Sequence, residues 1–176
     1  MVRLLGTNPV YRSRVTCHQV SDPEPARFGT LDARLPGALD AYLNGNGIRL
    51  YSHQCEAINS LRAGKNVIIT TPTASGKTLA FNIPVFTGLI ADPDARALYL
   101  YPTKALSNDQ YATLRAMEKF TGIPAKPAIY DGDTPQSNRA AIREHARIVI
   151  SNPYELHQVL SWHAKWSPFF SHLNLS

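Results

Sequence analysis

Short apolar runs alternate with longer stretches of mixed character along most of the chain. The runs are rich in valine, isoleucine and tyrosine and fall at 66–70, 97–101, 127–130 and 147–150. The stretches that can hold helices fall at 77–91, 104–121, 135–145 and 153–162. Strands alternating with helices are typical of a parallel sheet covered by helices on both faces. The pattern therefore predicts an α/β fold with a mostly parallel sheet.

The part of the chain before these runs has a different character. Residues 1–30 carry prolines and polar residues without a sustained period, which predicts an irregular N-terminal arm. Leucine then recurs every four residues, at Leu31, Leu35, Leu39 and Leu43. This spacing predicts a short amphipathic helix over 31–43, interrupted near Pro36. A second helix is predicted over 52–63, ending at Gly64.

Composition sets limits on the class of protein. The chain has 176 residues, of which 44% are hydrophobic and 18% charged, as in an ordinary globular protein of one domain. No apolar run reaches the length of a membrane span, so no membrane association is expected. The two cysteines have no ligand-like spacing, which favours a reducing compartment, and we expect a cytoplasmic protein. The net charge of +5 is a mild indication of a polyanionic partner.

The segment TTPTASGKT, residues 70–78, combines small residues with a lysine and a hydroxyl at the start of a predicted helix. A strand, a small-residue loop and a helix are the context that a phosphate-binding loop requires. In such a loop, backbone N–H groups and the helix N-terminus bind anionic phosphates, and Gly76 allows close approach. Lys77 would supply a charge between the phosphates, and Thr78 a hydroxyl for Mg²⁺. The alternative is a chance occurrence of Gly-Lys-Thr, which the flanking strand and helix disfavour.

Five segments occur in an order that resembles a known family. They are LYSHQCEAI, TTPTASGKT, YPTKALSNDQ, YDGDT and ISNPYEL. The chain is similar to the N-terminal RecA-like lobe of superfamily 2 DEAD/DEAH-box helicases, from about Pro25 to its end. More narrowly, it resembles the DNA helicases of this family that carry a C-terminal zinc-binding domain. The family often has a small residue where other phosphate loops have their first glycine, in agreement with Thr71. The resemblance implies a P-loop, RecA-like, three-layer sandwich, here incomplete and spanning 31–176.

The resemblance implies an ATP site with Mg²⁺. Gln54 would recognise adenine, because an amide can both donate to and accept from the base. An ordinary solvent-facing helix glutamine is the alternative. Phe28 or Tyr51 would stack on the base, with Phe28 the better match to the family's upstream aromatic. The loop residues assigned to the phosphates and to Mg²⁺ are Thr73, Ala74, Ser75, Gly76, Lys77 and Thr78, the last as the metal ligand.

The resemblance also implies a nucleic-acid site, with DNA favoured over RNA. Three turns would contact the sugar-phosphate backbone, and each follows an apolar run. Their residues are Pro102, Thr103 and Lys104, then Gly132, Asp133 and Thr134, and finally Asn152 and Pro153. The turn at 102–104 is also an ordinary way to begin a helix, and the other two turns carry little information when taken singly. Arg147 and Lys165, outside these turns, are expected to be solvated.

The family catalyses hydrolysis with an Asp-Glu pair that follows an apolar strand, and residues 1–176 contain no such pair. We therefore expect this chain to bind ATP and nucleic acid weakly without unwinding, with the remainder of the helicase as a partner. Two alternatives stay open at this point. One is a non-catalytic module that binds nucleic acid or protein. The other is a small P-loop kinase, which would need a nearby aspartate and an arginine-rich lid.

Overall fold

A four-stranded parallel sheet forms the centre of the described structure. The computed structural model describes residues 9–12, 25–71 and 75–175. The strands are β1 (Arg96–Leu100), β2 (Pro127–Ile129), β3 (Ile148–Ser151) and β4 (Leu173–Leu175). Their order in the sheet is β2-β3-β1-β4, and each neighbouring pair is parallel. The predicted parallel sheet is thus confirmed.

Helices occupy most of the remaining described chain. They are α1 (Pro9–Arg12), α2 (Gly37–Gly45), α3 (Ser52–Arg62), α4 (Lys77–Ala91), α5 (Lys104–Thr121), α6 (Gln136–His145), α7 (Pro153–Leu160) and α8 (His163–Phe170). The predicted helices at 77–91 and 104–121 are confirmed with the same bounds. The helix predicted over 31–43 instead begins at Gly37, because Pro36 sits in an extended conformation just before it.

The sheet carries apolar side chains on both faces. Ile148 and Ile150 of β3 pack in a cluster with Phe86 of α4 and other residues of α2 to α5. Val149, which points to the opposite face because side chains alternate along a strand, packs in a second cluster with Phe169 of α8. Helices therefore cover both faces of the sheet. This is the three-layer arrangement expected of a RecA-like fold.

The strand predicted at 66–70 is wrong. This segment has no strand hydrogen bonding, and the side chain of Ile68 is 90% exposed. A strand forms only where a neighbour completes its ladder of hydrogen bonds. In the described residues β4 lies at the edge of the sheet, with β1 on one side and no further strand on the other. The loop before α4 is therefore preceded by irregular backbone.

The expectation that Arg147 is solvated is also wrong. Its side chain is only 7% exposed and donates to four backbone carbonyls. Nη2 donates to Leu89 at 2.9 Å and Asp92 at 2.6 Å, Nη1 to Pro124 at 3.1 Å, and Nε to Ala95 at 3.4 Å. Burial lowers the pKa of Arg147 from its usual value. The side chain thus ties the end of α4 to the segments that lead into β1 and β2.

A buried polar cluster connects α4, β1 and α5. Asn82 of α4 is fully buried, and its Oδ1 accepts from the Tyr99 hydroxyl at 3.0 Å and from Gln110 Nε2 at 2.9 Å. Hydrogen bonds of this kind are stronger in a low dielectric than in water. The Asn82 amide therefore holds the two helices at a fixed position against the sheet.

Alkaline pH should destabilise the fold through Tyr99, which is buried, and Tyr101, which is partly buried. Burial raises the pKa of Tyr101 to about 12, and burial together with Tyr101 raises the pKa of Tyr99. A tyrosine in the unfolded chain ionises near pH 10, so above that pH the folded state binds more protons. The free energy of unfolding should therefore fall between pH 10 and 12. Urea denaturation between pH 10 and 12 should show a smaller fall in the free energy of unfolding for Tyr101→Phe than for the unsubstituted chain. Tyr154→Phe, which changes an exposed side chain, should match the unsubstituted chain. If the free energy of unfolding of Tyr101→Phe fell with pH as steeply as that of the unsubstituted chain, Tyr101 would not be a cause of the fall.

Candidate functional site

The phosphate-loop residues lie at the N-terminus of α4. Thr73 and Ala74 lie outside the described residues, so the loop is seen from Ser75 onward. Gly76 caps the helix in a left-handed conformation with φ of 75°, and Lys77 and Thr78 form its first two positions. The exposed N–H groups of a helix N-terminus favour anions. A phosphate site at this helix N-terminus stays a prediction.

Lys77 is surrounded by oxygen atoms of its own loop. Its Nζ donates to the backbone carbonyl of Thr71 and lies 3.3 Å from both Thr71 Oγ1 and Ser75 Oγ. The two hydroxyl groups are in turn 2.6 Å apart. Thr71 and Ser75 thus hold the ammonium group, which places a positive charge at the helix N-terminus. An arriving phosphate would exchange these neutral acceptors for an anionic one.

Two side chains of α3 hold the loop by its backbone. Gln54 is only 2% exposed, and its amide Nε2 donates to the Gly76 carbonyl at 2.6 Å while Oε1 accepts from the Tyr51 N–H at 2.8 Å. His53 Nε2 lies 3.0 Å from the carbonyl of Ser75. Contact with the loop is therefore a role for Gln54 and His53 that the residue types alone did not indicate. Recognition of adenine by Gln54 stays a prediction.

Substitution of Gly76 should disturb the loop and its contact with Gln54. A Cβ atom at this position would lie 2.7 Å from Gln54 Nε2, and the left-handed backbone adds about 1 kcal/mol for any residue with a side chain. We expect Gly76→Ala to lower the free energy of unfolding by about 2 kcal/mol, measured by urea denaturation. Gly37→Ala is the matched control, because a Cβ there meets no atom within 4 Å. Equal stability of the two variants would contradict this reading of the loop.

A row of stacked rings lies next to Gln54 at the start of α3. Phe28 forms an isolated antiparallel bridge with Tyr51, and their rings stack at a centroid distance of 5.4 Å. Tyr51 stacks in turn on His53 at 5.7 Å, and the Arg49 guanidinium lies 4.1 Å from the centre of the Phe28 ring. The structure therefore brings Phe28 and Tyr51 together near Gln54. Stacking of either ring on a base stays a prediction.

The three turns assigned to nucleic acid lie at the carboxyl ends of three neighbouring strands. Pro102, Thr103 and Lys104 follow β1, residues 132–134 follow β2, and Asn152 and Pro153 follow β3. Because these strands are parallel, their carboxyl ends meet at the same edge, where ligands bind in open α/β sheets. We call these three turns the strand-end surface. The structure thus brings together residues that are distant in the sequence.

Two residues of the strand-end surface cap helices, and two others form an ion pair. Thr103 Oγ1 accepts from the Leu106 N–H at 3.4 Å, and Asn152 Oδ1 accepts from the Glu155 N–H at 2.9 Å. Each therefore fixes the start of a helix, α5 or α7, as a good N-cap residue does. Lys104 pairs with Asp133 across the surface, and this hydrogen bond raises the pKa of Lys104.

Arg139 organises the turn at 131–134 and was not anticipated. Its Nη2 donates to the Asp131 carbonyl at 2.9 Å and its Nε to the Thr134 carbonyl at 3.1 Å. Its Nη1 lies 3.9 Å from Glu155 Oε2 on α7. Gly132 is also close to this carboxylate, since a Cβ there would lie 3.5 Å from Glu155 Oε1, an ordinary contact distance. No motif marks position 139, because its importance depends on contacts with the distant turn at 131–134 and with Glu155 of α7.

No group of three or more His, Cys, Asp or Glu side chains in the described ranges is arranged to hold a metal ion. In the same ranges, no helix has the length and apolar character needed to cross a membrane.

Several known proteins are similar to this chain in sequence and fold. The uncharacterized ATP-dependent helicase YprA of Bacillus subtilis is 39% identical over 161 residues, which are 90% of this chain and 21% of YprA. The ATP-dependent helicase HRQ1 of Saccharomyces cerevisiae is 37% identical over 180 residues, covering 99% of this chain and 16% of HRQ1. The crystal structure of the DUF1998 helicase MrfA bound to DNA and AMPPNP superposes with a TM-score of 0.83 at 39% identity. The match covers 87% of this chain and 22% of MrfA.

The chain therefore spans about a fifth of the length of these relatives. A family match runs over residues 51–175, from the residue that precedes α3 to the last residue of β4. It includes the loop before α4 and the whole strand-end surface. By this match the chain belongs to the DEAD/DEAH box helicase family.

Proposed function

We propose that this chain is the ATP-binding part of an ATP-dependent DNA helicase. The observation that carries the proposal is the position of Lys77, held by Thr71 and Ser75 at the N-terminus of α4. A positive charge at a helix N-terminus, preceded by a left-handed glycine, suits the phosphates of a nucleotide. Family membership supports ATP as that nucleotide.

The chemistry of the loop fits ATP with Mg²⁺. Lys77 would bind the phosphate oxygens, and the N–H groups of the first turn of α4 would share their charge. The Thr78 hydroxyl, which has no hydrogen-bond partner among the described residues, is the protein oxygen available to Mg²⁺ there. Bound Mg²⁺ would neutralise charge that develops on the phosphates during transfer. Gln54 bonds the loop and the Phe28 and Tyr51 rings stack beside it, and in this proposal they contact the base.

The strand-end surface would bind the backbone of one nucleic-acid strand. Lys104 supplies a charge to the phosphates, and the N-termini of α5 and α7, capped by Thr103 and Asn152, supply N–H groups. Such binding should weaken as salt rises, because condensed counterions are released from the nucleic acid. DNA is proposed over RNA because MrfA, which is 39% identical to this chain, was crystallised with DNA.

Calorimetry with ATP and Mg²⁺ tests the proposal directly on the 176-residue chain. We expect weak binding of ATP, weak and salt-sensitive binding of single-stranded DNA, and no unwinding. We also expect little release of phosphate, since catalysis of this kind depends on carboxylate and arginine groups placed around the phosphates. The absence of heat with ATP on folded protein would contradict the proposal. Turnover that disappears in Lys77→Ala would contradict the expected lack of hydrolysis.

A second candidate function is a binding module without catalysis. It is favoured by the hydrogen bonds that Lys77 and Gln54 make to the backbone of the loop, which give both side chains a role in the structure of the protein itself. A module of this class should bind DNA with an affinity that depends neither on ATP nor on Lys77. DNA titrations of the unsubstituted chain and of Lys77→Ala, each with and without ATP, separate the two functions.

A further inference from the structure

A groove lies between α6, α7 and α8, next to the strand-end surface but outside its three turns. Its volume is about 390 Å³, within the range of pockets for small ligands. Tyr130, Val159 and Trp166 are buried and line its inner part. The Tyr130 and Trp166 rings pack edge to face at a centroid distance of 4.7 Å, which gives the groove a rigid apolar floor. We call this feature the α6–α8 groove.

The charges that line the α6–α8 groove favour an anionic ligand. Glu155 is the acidic group in the lining, and Arg139 lies 3.9 Å from it, so its charge is already compensated. Arg143 also lines the groove, and its guanidinium has no hydrogen-bond or ion-pair partner among the described residues. Lys165 contributes a further ammonium group, 4.5 Å from the centre of the Trp162 ring. Two cations are thus left over for a ligand.

Exposed aromatic side chains indicate what kind of anion would fit. Tyr154 is 71% exposed and Trp162 is 60% exposed, and both line the α6–α8 groove. Proteins that bind single-stranded nucleic acid combine a positive groove with aromatic rings on which bases stack. The side-chain amides of Gln136 and Gln158 also line the groove and have no partner in the described part of the chain. Amides of this kind can donate to and accept from the edge of a base.

The α6–α8 groove continues directly from the strand-end surface. Tyr154 and Glu155 follow Asn152 and Pro153 in the first turn of α7. Arg139, in the wall of the groove, binds the turn at 131–134 on the other side. A strand whose phosphates lie on the strand-end surface would therefore have bases within reach of the groove.

We propose that the α6–α8 groove binds an unpaired nucleobase of the strand that the strand-end surface holds by its backbone. The inference rests on the proposed function, because it needs single-stranded nucleic acid at that surface. Aromatic stacking supplies the affinity, Arg143 and Lys165 bind the adjoining phosphate, and the glutamines contact the edge of the base. An acidic peptide could match the charges but would leave the exposed rings without a planar partner.

Tryptophan fluorescence of the 176-residue chain reports on this groove directly. The chain has two tryptophans, Trp162 and Trp166, and both line the groove. The probes are a single-stranded oligothymidylate of about 12 nucleotides and an abasic strand of the same length. We expect the oligothymidylate to quench the fluorescence and to bind about tenfold more tightly than the abasic strand.

Three variants complete the experiment. Trp162→Ala should abolish the preference for the base-bearing strand and leave the affinity for the abasic strand unchanged. Leu160→Ala is the matched control, since Leu160 is an exposed apolar residue of α7 that does not line the groove. Lys104→Ala should weaken the binding of both strands by the same factor, because it acts on phosphate.

The outcomes separate this inference from the proposed function. Equal affinity for the two strands, or a preference that survives in Trp162→Ala, would overturn the groove as a base site while leaving the strand-end surface intact. Quenching by polyglutamate instead of oligothymidylate would assign the groove to an acidic peptide and overturn the inference. Failure of the unsubstituted chain to bind either strand at low salt would overturn the proposed function itself.

Discussion

Arg147→Ala should lower the free energy of unfolding by about 3 to 4 kcal/mol, a large part of the stability of a domain of this size. The guanidinium is buried and donates to the carbonyls of Leu89, Asp92, Ala95 and Pro124. Removing it leaves these acceptors without their donor and opens a cavity at the junction of three segments. Urea denaturation followed by circular dichroism measures the effect.

Two further substitutions control this result. Arg147→Lys keeps the charge but lacks the planar fork that reaches several acceptors, so an intermediate loss is expected. Arg115→Ala removes an exposed arginine of α5 that pairs with Glu118 on the same helix, and it should change the stability by less than about 0.5 kcal/mol. The structural role of Arg147 would be refuted if its alanine variant unfolded at the same urea concentration as the Arg115 variant.

Lys77→Ala should weaken the binding of ATP by about 10-fold to 100-fold, as expected for a hydrogen bond to a charged group. The ammonium lies among loop oxygens at the N-terminus of α4, where the triphosphate would bind. Calorimetry in the presence of Mg²⁺ measures the change. The variant should stay folded, because the side chain is only partly buried and its removal leaves the apolar clusters intact.

Lys65→Ala provides the matched control for charge. Lys65 is an exposed lysine in the segment between α3 and the loop, and its replacement changes the net charge by the same amount. We expect its affinity for ATP to equal that of the unsubstituted chain. If the Lys77 and Lys65 variants bound ATP alike, the phosphates would have to lie elsewhere.

Local signals in the sequence were sufficient for α4 and α5, the helices that follow Gly76 and Thr103. The helix α5 begins after Thr103, a good N-cap residue, and ends at Gly122 in the left-handed conformation that favours glycine. The helix α4 begins after Gly76, as the phosphate-loop pattern predicts. Caps of this kind involve residues within one turn of each other, so they can be recognised without the tertiary structure.

Features that depend on distant partners could not be predicted in this way. The run at 66–70 has the composition of a strand, yet strand formation requires a neighbour that composition does not specify. Arg147 looks like an exposed arginine before a strand, and only the convergence of α4, the β1 segment and the β2 segment explains its burial. The contact of Gln54 with the loop similarly depends on the packing of α3 against α4.

The amide of Asn82 has a mechanical consequence for the two helices that it connects, α4 and α5. It belongs to the helix that starts at Lys77, and it is bonded to Gln110 of the helix that starts at Lys104. A sliding or rotation of one helix must either carry the other along or break a hydrogen bond that is buried from solvent. A displacement at the N-terminus of α4 would thereby be transmitted to α5, which begins at the strand-end surface.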